Sequence, residues 1–169
     1  MDGRRRDSPT PEELAQRALA KLRLRGAQIG VAPNPSGKGA VGLPVWLWTD
    51  VTPGTWGPQR ASESAGAITV SIEAKARMIV WQMGDGNSVT CTNPGQPYKA
   101  VYGLAESTAC GYKYPRPSIT AANPNGRYTV TATTHWRVTW TGGGQSGVLT
   151  PTSQSQTSVQ IGEIQVVKR

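Results

Sequence analysis

Few side chains in this 169-residue chain could do chemistry, and their spacing does not assemble a reaction centre. Nucleophilic catalysis needs a nucleophile, a base and a group that orients the base. The single imidazole, His135, stands in the middle of a threonine-rich alternating stretch. Paired carboxylates for glycoside hydrolysis would have to come from Asp50, Glu63, Glu73, Asp85, Glu106 and Glu163, and no motif frames any two of them. Asp85 sits in Gly84-Asp85-Gly86, where it suits a turn better than a calcium ion, which asks for several clustered oxygens. One histidine and two cysteines do not supply a four-ligand zinc set. The expectation is a protein that is not an enzyme and that needs no metal and no cofactor.

One stretch invites a different reading. Residues 32–39, Ala-Pro-Asn-Pro-Ser-Gly-Lys-Gly, resemble a relaxed phosphate-binding loop, but Gly39 stands where a hydroxyl would hold magnesium. Pro33 and Pro35 also remove N–H donors from a loop whose work is to present them to phosphate. Nucleotide binding is therefore not expected.

Two residue sets remain as candidates for a role. Cys91 and Cys110 are an even pair across a short loop, which makes a disulfide the expectation if the protein leaves the cytoplasm, with two buried thiols as the alternative. Trp46 and Trp48 are two apart, so both indoles share a face if the segment is a strand. Core packing is the plainer reading of that pair; a sugar-stacking or partner-binding platform is the functional one. Trp56, in a Pro- and Gly-rich loop, is the better candidate for exposure.

The net charge of +8 raises the question of a nucleic-acid partner. Seven basic residues against four acids lie in the first 25, leaving eleven against six scattered singly elsewhere. Without a dense basic stripe no specific nucleic-acid partner is expected, and general attraction to anionic polymers or a solvated basic surface fits better. No apolar run approaches the roughly 18 residues of a membrane helix. Met1 is followed by Asp2 and Arg4-Arg5-Arg6 with no apolar region, so the chain as given carries no export signal.

The elements that must position these residues are mostly strands. Charged residues are only 17 %, Gly (20) and Pro (13) are frequent and Phe is missing, the profile of an all-β protein with many turns. Residues 1–9 read as a disordered tail. Thr10-Pro11-Glu12-Glu13 opens an amphipathic helix over 10–26, with a capping box, Pro at the first position and a stripe of Leu14, Ala18 and Leu22 beside Ala15 and Leu19. Such a helix docks on its own domain, on a partner or peripherally on an anionic membrane. Residues 27–65 read as a Trp/Pro/Gly-rich connecting segment with one short strand, and 66–169 as a β-sandwich.

Within the sandwich, Ile68, Val70, Ile72 and Ala74 alternate with polar residues, and a second strand, Ile79 to Met83, reaches the Gly84-Asp85-Gly86 turn and returns as Val89 to Thr92. Asn93 to Ala109 is a long loop that the disulfide would pin. The strongest strand signal is 126–140, with Tyr128, Val130, Ala132, Trp136, Val138 and Trp140 on one face; Val148–Thr150 and Val159–Val167 complete the sheet.

Residues 66–134 resemble a polycystic-kidney-disease (PKD) type domain, an immunoglobulin-like β-sandwich. The resemblance rests on Trp81, Met83, Gly84, Asp85 and Gly86, on Tyr112-Lys113-Tyr114, and on Gly126, Tyr128 and Val130. It departs from that pattern in the inserted 91–110 loop and in the strands after Thr134. It implies a structural turn at Gly84, Asp85 and Gly86 and core positions at Trp81, Tyr128 and Val130. From about Pro11 onward the chain is also similar to secreted or membrane-anchored proteins of high-GC Gram-positive bacteria, in the stretches 42–48, 81–86, Cys91, 110–112 and 136–147. That similarity implies export and a place at the cell envelope. The expected role is a non-catalytic extracytoplasmic binding or spacer module that meets a protein partner. The alternatives are a carbohydrate or cell-wall polymer binder using Trp46, Trp48 and Trp56, and an accessory component of a secretion or conjugation apparatus.

Overall fold

The fold is known from a computed structural model, which describes residues 8–120, 123 and 125–163. Two fifteen-residue strands, β5 (Ile68–Gln82) and β8 (Tyr128–Gly142), pair antiparallel from Ser71 opposite Thr141 to Gln82 opposite Thr131 and form its spine. Each is flanked on its outer side by two shorter strands. β4 (Gln59–Ala65) and β6 (Ser88–Cys91) pair with β5, while β9 (Gln145–Leu149) and β10 (Thr152–Val159) pair with β8. A second sheet runs β1 (Ile29–Ala32), β3 (Pro44–Thr49), β7 (Gly111–Lys113), and β2 (Gly39–Ala40) pairs in parallel with β11 (Ile161–Gly162). With the helix α1 (Pro11–Lys21) this is an all-β sandwich carrying one helix.

The inward face of the large sheet is covered in two halves. At one end Ile79, Trp81, Val130 and Ala132 pack against Val31, Val45 and Leu47 of the small sheet. At the other end Val70, Ile72, Val138, Trp136 and Trp140 pack against Leu14, Ala15 and Ala18 of α1. A register shift between Ala76 and Met78 joins the halves. Before this bulge β5 turns its even-numbered residues inward and after it the odd-numbered ones, while β8 keeps its even positions inward throughout. The two stretches expected as separate strands, 66–75 and 79–83, are therefore one strand with a phase change.

The helix starts as its sequence dictates. The Glu13 N–H donates to the Thr10 hydroxyl at 3.1 Å and the Thr10 N–H to the Glu13 carboxylate at 2.8 Å. Of the three docking places open to it, its apolar residues Leu14, Ala15 and Ala18 take the chain's own sheet, on which they are fully buried. The helix also stops at Lys21 rather than at Gly26. Residues 22–28 run extended because they are held from both sides: Arg25 N–H donates to the Gly54 carbonyl, and the Ser153 and Ser155 hydroxyls donate to the carbonyls of Arg25 and Ala27. Gly26 is needed for this approach, since a Cβ there would lie 2.3 Å from the Gln154 carbonyl oxygen.

Two further expectations are corrected. Residues 27–65 are not a connector with one strand; they hold β1 to β4, and Val31, Val45 and Leu47 form one wall of the core, so the sandwich does not begin at 66. β10, Thr152–Val159, has no apolar alternation to announce it, and the strand expected over 159–167 gives way to a short β11. The tail over 1–7 and positions 164–167 lie outside the described residues. No described helix is long and apolar enough to cross a membrane.

Candidate recognition site

Cys91, at the end of β6, and Cys110, just before β7, form a disulfide with Cα atoms 5.9 Å apart. It ties the large sheet to the small one and closes the loop between them. That loop is stitched internally: Asn93 donates to the Ala109 carbonyl and accepts from Gly95 N–H, and the Ser107 hydroxyl accepts the N–H groups of Ala109 and Cys110. It ends up over the outer face of β3. Strand alternation points Val45, Leu47 and Thr49 at the core and Trp46 and Trp48 away from it.

The shared face expected for Trp46 and Trp48 is present, but an exposed platform is not. Trp46 is 4 % exposed. Tyr102 stacks on it with centroids 5.0 Å apart and planes at 11°, Tyr98 meets it edge-on at 5.3 Å, and its indole N–H donates to the Ala105 carbonyl at 2.8 Å. Trp48 is half-buried, lying across Gly30 so closely that a Cβ there would sit 1.9 Å from the ring. Trp56 is half-buried as well and packs on the first core, because the Trp56 and Gly57 N–H groups donate back to the Thr52 carbonyl and the Ala76 N–H donates to the Trp56 carbonyl. Of the three tryptophans Trp46 is thus covered by protein on its exposed side, while Trp48 and Trp56 keep part of their surface in solvent.

The loop exposes other residues in their place. Val101 is 84 % and Leu104 73 % exposed, beside the short helical turn Ala100–Tyr102. Between Leu104, Tyr98 and Trp46 on one side and Leu43, Ala32 and Pro33 on the other lies a cleft of about 240 Å³, also lined by Lys38. The pseudo-phosphate loop thus contributes its proline and lysine to an apolar cleft. Nothing in the composition or periodicity of the chain singles out Tyr98, Tyr102, Val101 and Leu104; two tyrosines four apart inside a loop closed by cysteines are the available signal.

The Gly84-Asp85-Gly86 turn is structural. Gly84 and Gly86 have φ of 86° and 93°, and a Cβ on Gly84 would lie 2.6 Å from the Thr129 carbonyl oxygen. The Asp85 carboxylate accepts the Asn87 N–H at 3.0 Å and the Tyr112 hydroxyl at 2.5 Å. Behind it, Tyr114 meets Tyr112 edge-on and stacks on Tyr128 at 4.5 Å, and Tyr114 donates to the Met83 carbonyl. Trp81, Tyr128 and Val130 are buried.

Burial, reinforced by the hydrogen bond to Asp85, pushes the Tyr112 phenol from 10.0 up to about 12, and burial also raises Tyr114 and Tyr128. Folding therefore favours the protonated phenols. The stabilisation is complete below pH 10 and is lost as pH rises from 10 towards 12. Denaturant midpoints should fall across that window, and Tyr112→Phe should make the fall shallower; an unchanged slope would contradict the Asp85–Tyr112 account.

The other chemistry-bearing residues are not brought together. Glu63 pairs with Lys21 at 2.8 Å, Glu73 with Arg60 and Lys75, and Glu106 with Lys113. His135 lies on the outward face opposite Met78 and Thr152. Among the described residues no three His, Cys, Asp or Glu side chains converge. Comparison of the chain with family models, with curated proteins and with solved structures gives no match.

Proposed function

We propose that this chain is a non-catalytic recognition module of the cell envelope, an immunoglobulin-like sandwich of PKD type that works outside the cytoplasm and binds a protein partner. The observation that carries the reading is the disulfide-closed loop that presents Val101 and Leu104 to solvent over a braced aromatic base, next to an apolar cleft. Large apolar side chains held in water by a stitched loop lose about 1.5–3 kcal/mol each relative to a buried state, which a partner can recover. A braced loop also loses little conformational entropy on binding. The disulfide supports the extracytoplasmic placement, since such bonds persist in oxidising compartments. With the stripe of α1 spent on its own sheet, a partner would be met by the loop rather than by the helix.

The test is a Val101→Asp/Leu104→Asp variant, compared with wild type for binding to envelope fractions in a sedimentation assay. Both side chains are exposed, so the melting temperature should be unchanged while affinity falls by about tenfold or more. Unchanged affinity would remove the loop from the interface.

A further inference from the structure

The outward face of the large sheet is a second surface, independent of the loop. α1 and the small sheet both cover the inward face, and among the described residues no element covers the outward one. Cross-strand register places Arg60 opposite Glu73 and Lys75 opposite Arg137 on it, and the bulge exposes Arg77 beside them. These four cations meet one carboxylate. Glu73 pairs with Arg60 and, at 3.8 Å, with Lys75, and among the described residues neither Arg77 nor Arg137 has an acidic partner.

The flanks of this basic band are polar in a regular way. Thr133, Gln154 and Gln156 project from neighbouring strands, with Gln154 donating to Thr133 and Gln156 to the buried Thr131. They offer hydroxyl and amide groups at the strand spacing of about 4.8 Å. The outward positions of the sheet carry no aromatic ring among the described residues; Trp81, Tyr128, Trp136 and Trp140 all point inward and are buried. A surface for single-stranded nucleic acid would be expected to offer rings for base stacking, and a membrane-docking one an apolar wedge. A polar face crossed by guanidinium groups that have no acidic partner among the described residues fits instead a chain that is itself hydroxylated and regularly anionic.

We infer that the outward face of the β4–β5–β8–β10 sheet is a binding surface for a linear anionic polysaccharide, held by Lys75, Arg77 and Arg137. The test uses the oxidised full-length protein and oligogalacturonate, a carboxylated glycan, with binding followed calorimetrically at several salt concentrations. Wild type should bind with an affinity that falls as salt rises. Lys75→Gln/Arg77→Gln/Arg137→Gln should bind about tenfold more weakly and with a shallower salt dependence. Arg23→Gln/Arg25→Gln/Lys99→Gln, which removes the same charge elsewhere, should bind within about twofold of wild type. Equal losses in the two triple variants, or none in the first, would overturn the inference. Tighter binding of single-stranded DNA of matched charge would overturn it in favour of a nucleic-acid surface. Near-ultraviolet circular dichroism distinguishes a lost surface from a lost fold, and single Arg137→Gln, exposed and unpaired, provides a variant that leaves the fold intact and should still weaken binding.

Discussion

A Cys91→Ala/Cys110→Ala protein is expected to unfold with about 3 kcal/mol less free energy than the oxidised wild type and to lose the order of the loop over Trp46. The two cysteines are 19 residues apart, and cross-linking a loop of that length removes closure entropy from the unfolded chain in proportion to its logarithm. The native state has its own stake in the bond. Cys91 and Cys110 are nearly buried among the residues of the first core, and Cys110 stands where the loop re-enters the small sheet, its carbonyl accepting the Leu47 N–H. Without the cross-link, Tyr98 and Tyr102 are held over Trp46 by ring contacts, by their own hydroxyl bonds to Gly103 and Gln96, and by the Ala105, Asn93 and Ser107 hydrogen bonds, none of them covalent. Urea unfolding should read the free-energy loss, and hydrogen exchange should show faster exchange at Ala109 and Cys110. A variant as stable as wild type, with unchanged exchange at those amides, would show that the loop is self-supporting.

Trp81→Ala should cost about 3–5 kcal/mol, the range for removing a buried large aromatic side chain. Trp81 is 1 % exposed between the small sheet and the β5–β8 spine, where no neighbouring element is free to collapse into the space. Its indole nitrogen finds no acceptor among the described residues, so part of what the ring contributes is spent on a buried unpaired N–H. Trp81→Phe keeps most of the apolar contact and removes that donor; its cost should be well under half that of alanine. Trp136 provides the contrast, because its N–H donates to Ser153 at 2.8 Å. Trp136→Phe loses that hydrogen bond, although the Ser153 hydroxyl still donates to the Arg25 carbonyl, whereas Trp81→Phe loses none, so Trp136→Phe should be the more damaging of the two phenylalanine substitutions. Equal costs for Trp81→Phe and Trp81→Ala would refute this division between packing and polar burial.

What the sequence made legible follows where each signal came from. The capping box at Thr10, the alternation of β8 and the glycine turn around Asp85 depend on residues close in the chain, and each is present in the structure. The continuity of β5 was hidden by the bulge after Ala76, which moves the inward set from even to odd positions. β10 is hidden because its inward positions are Ser153, Ser155 and Thr157 before the single apolar Val159. Ser153 and Ser155 bond the backbone of 25–27 rather than filling a core, so hydropathy carried no period. The face shared by Trp46 and Trp48 could be read from their spacing, but their exposure could not. What covers Trp46 is Tyr98 and Tyr102, far along the chain in a loop closed by a disulfide that ties the large sheet to the small one.

The central claim is that the disulfide-closed loop, rather than the tryptophans beneath it, meets the partner. A photo-crosslinking amino acid placed at Leu104 in cells that export the oxidised protein tests this most directly, with the same probe at Ile119 and Val148, exposed apolar positions outside the loop, as references. The account predicts a discrete protein adduct from position 104 that disappears in the Val101→Asp background and is missing at 119 and 148. The same adducts from all three positions, or an adduct from 119 or 148 with none from 104, would contradict it.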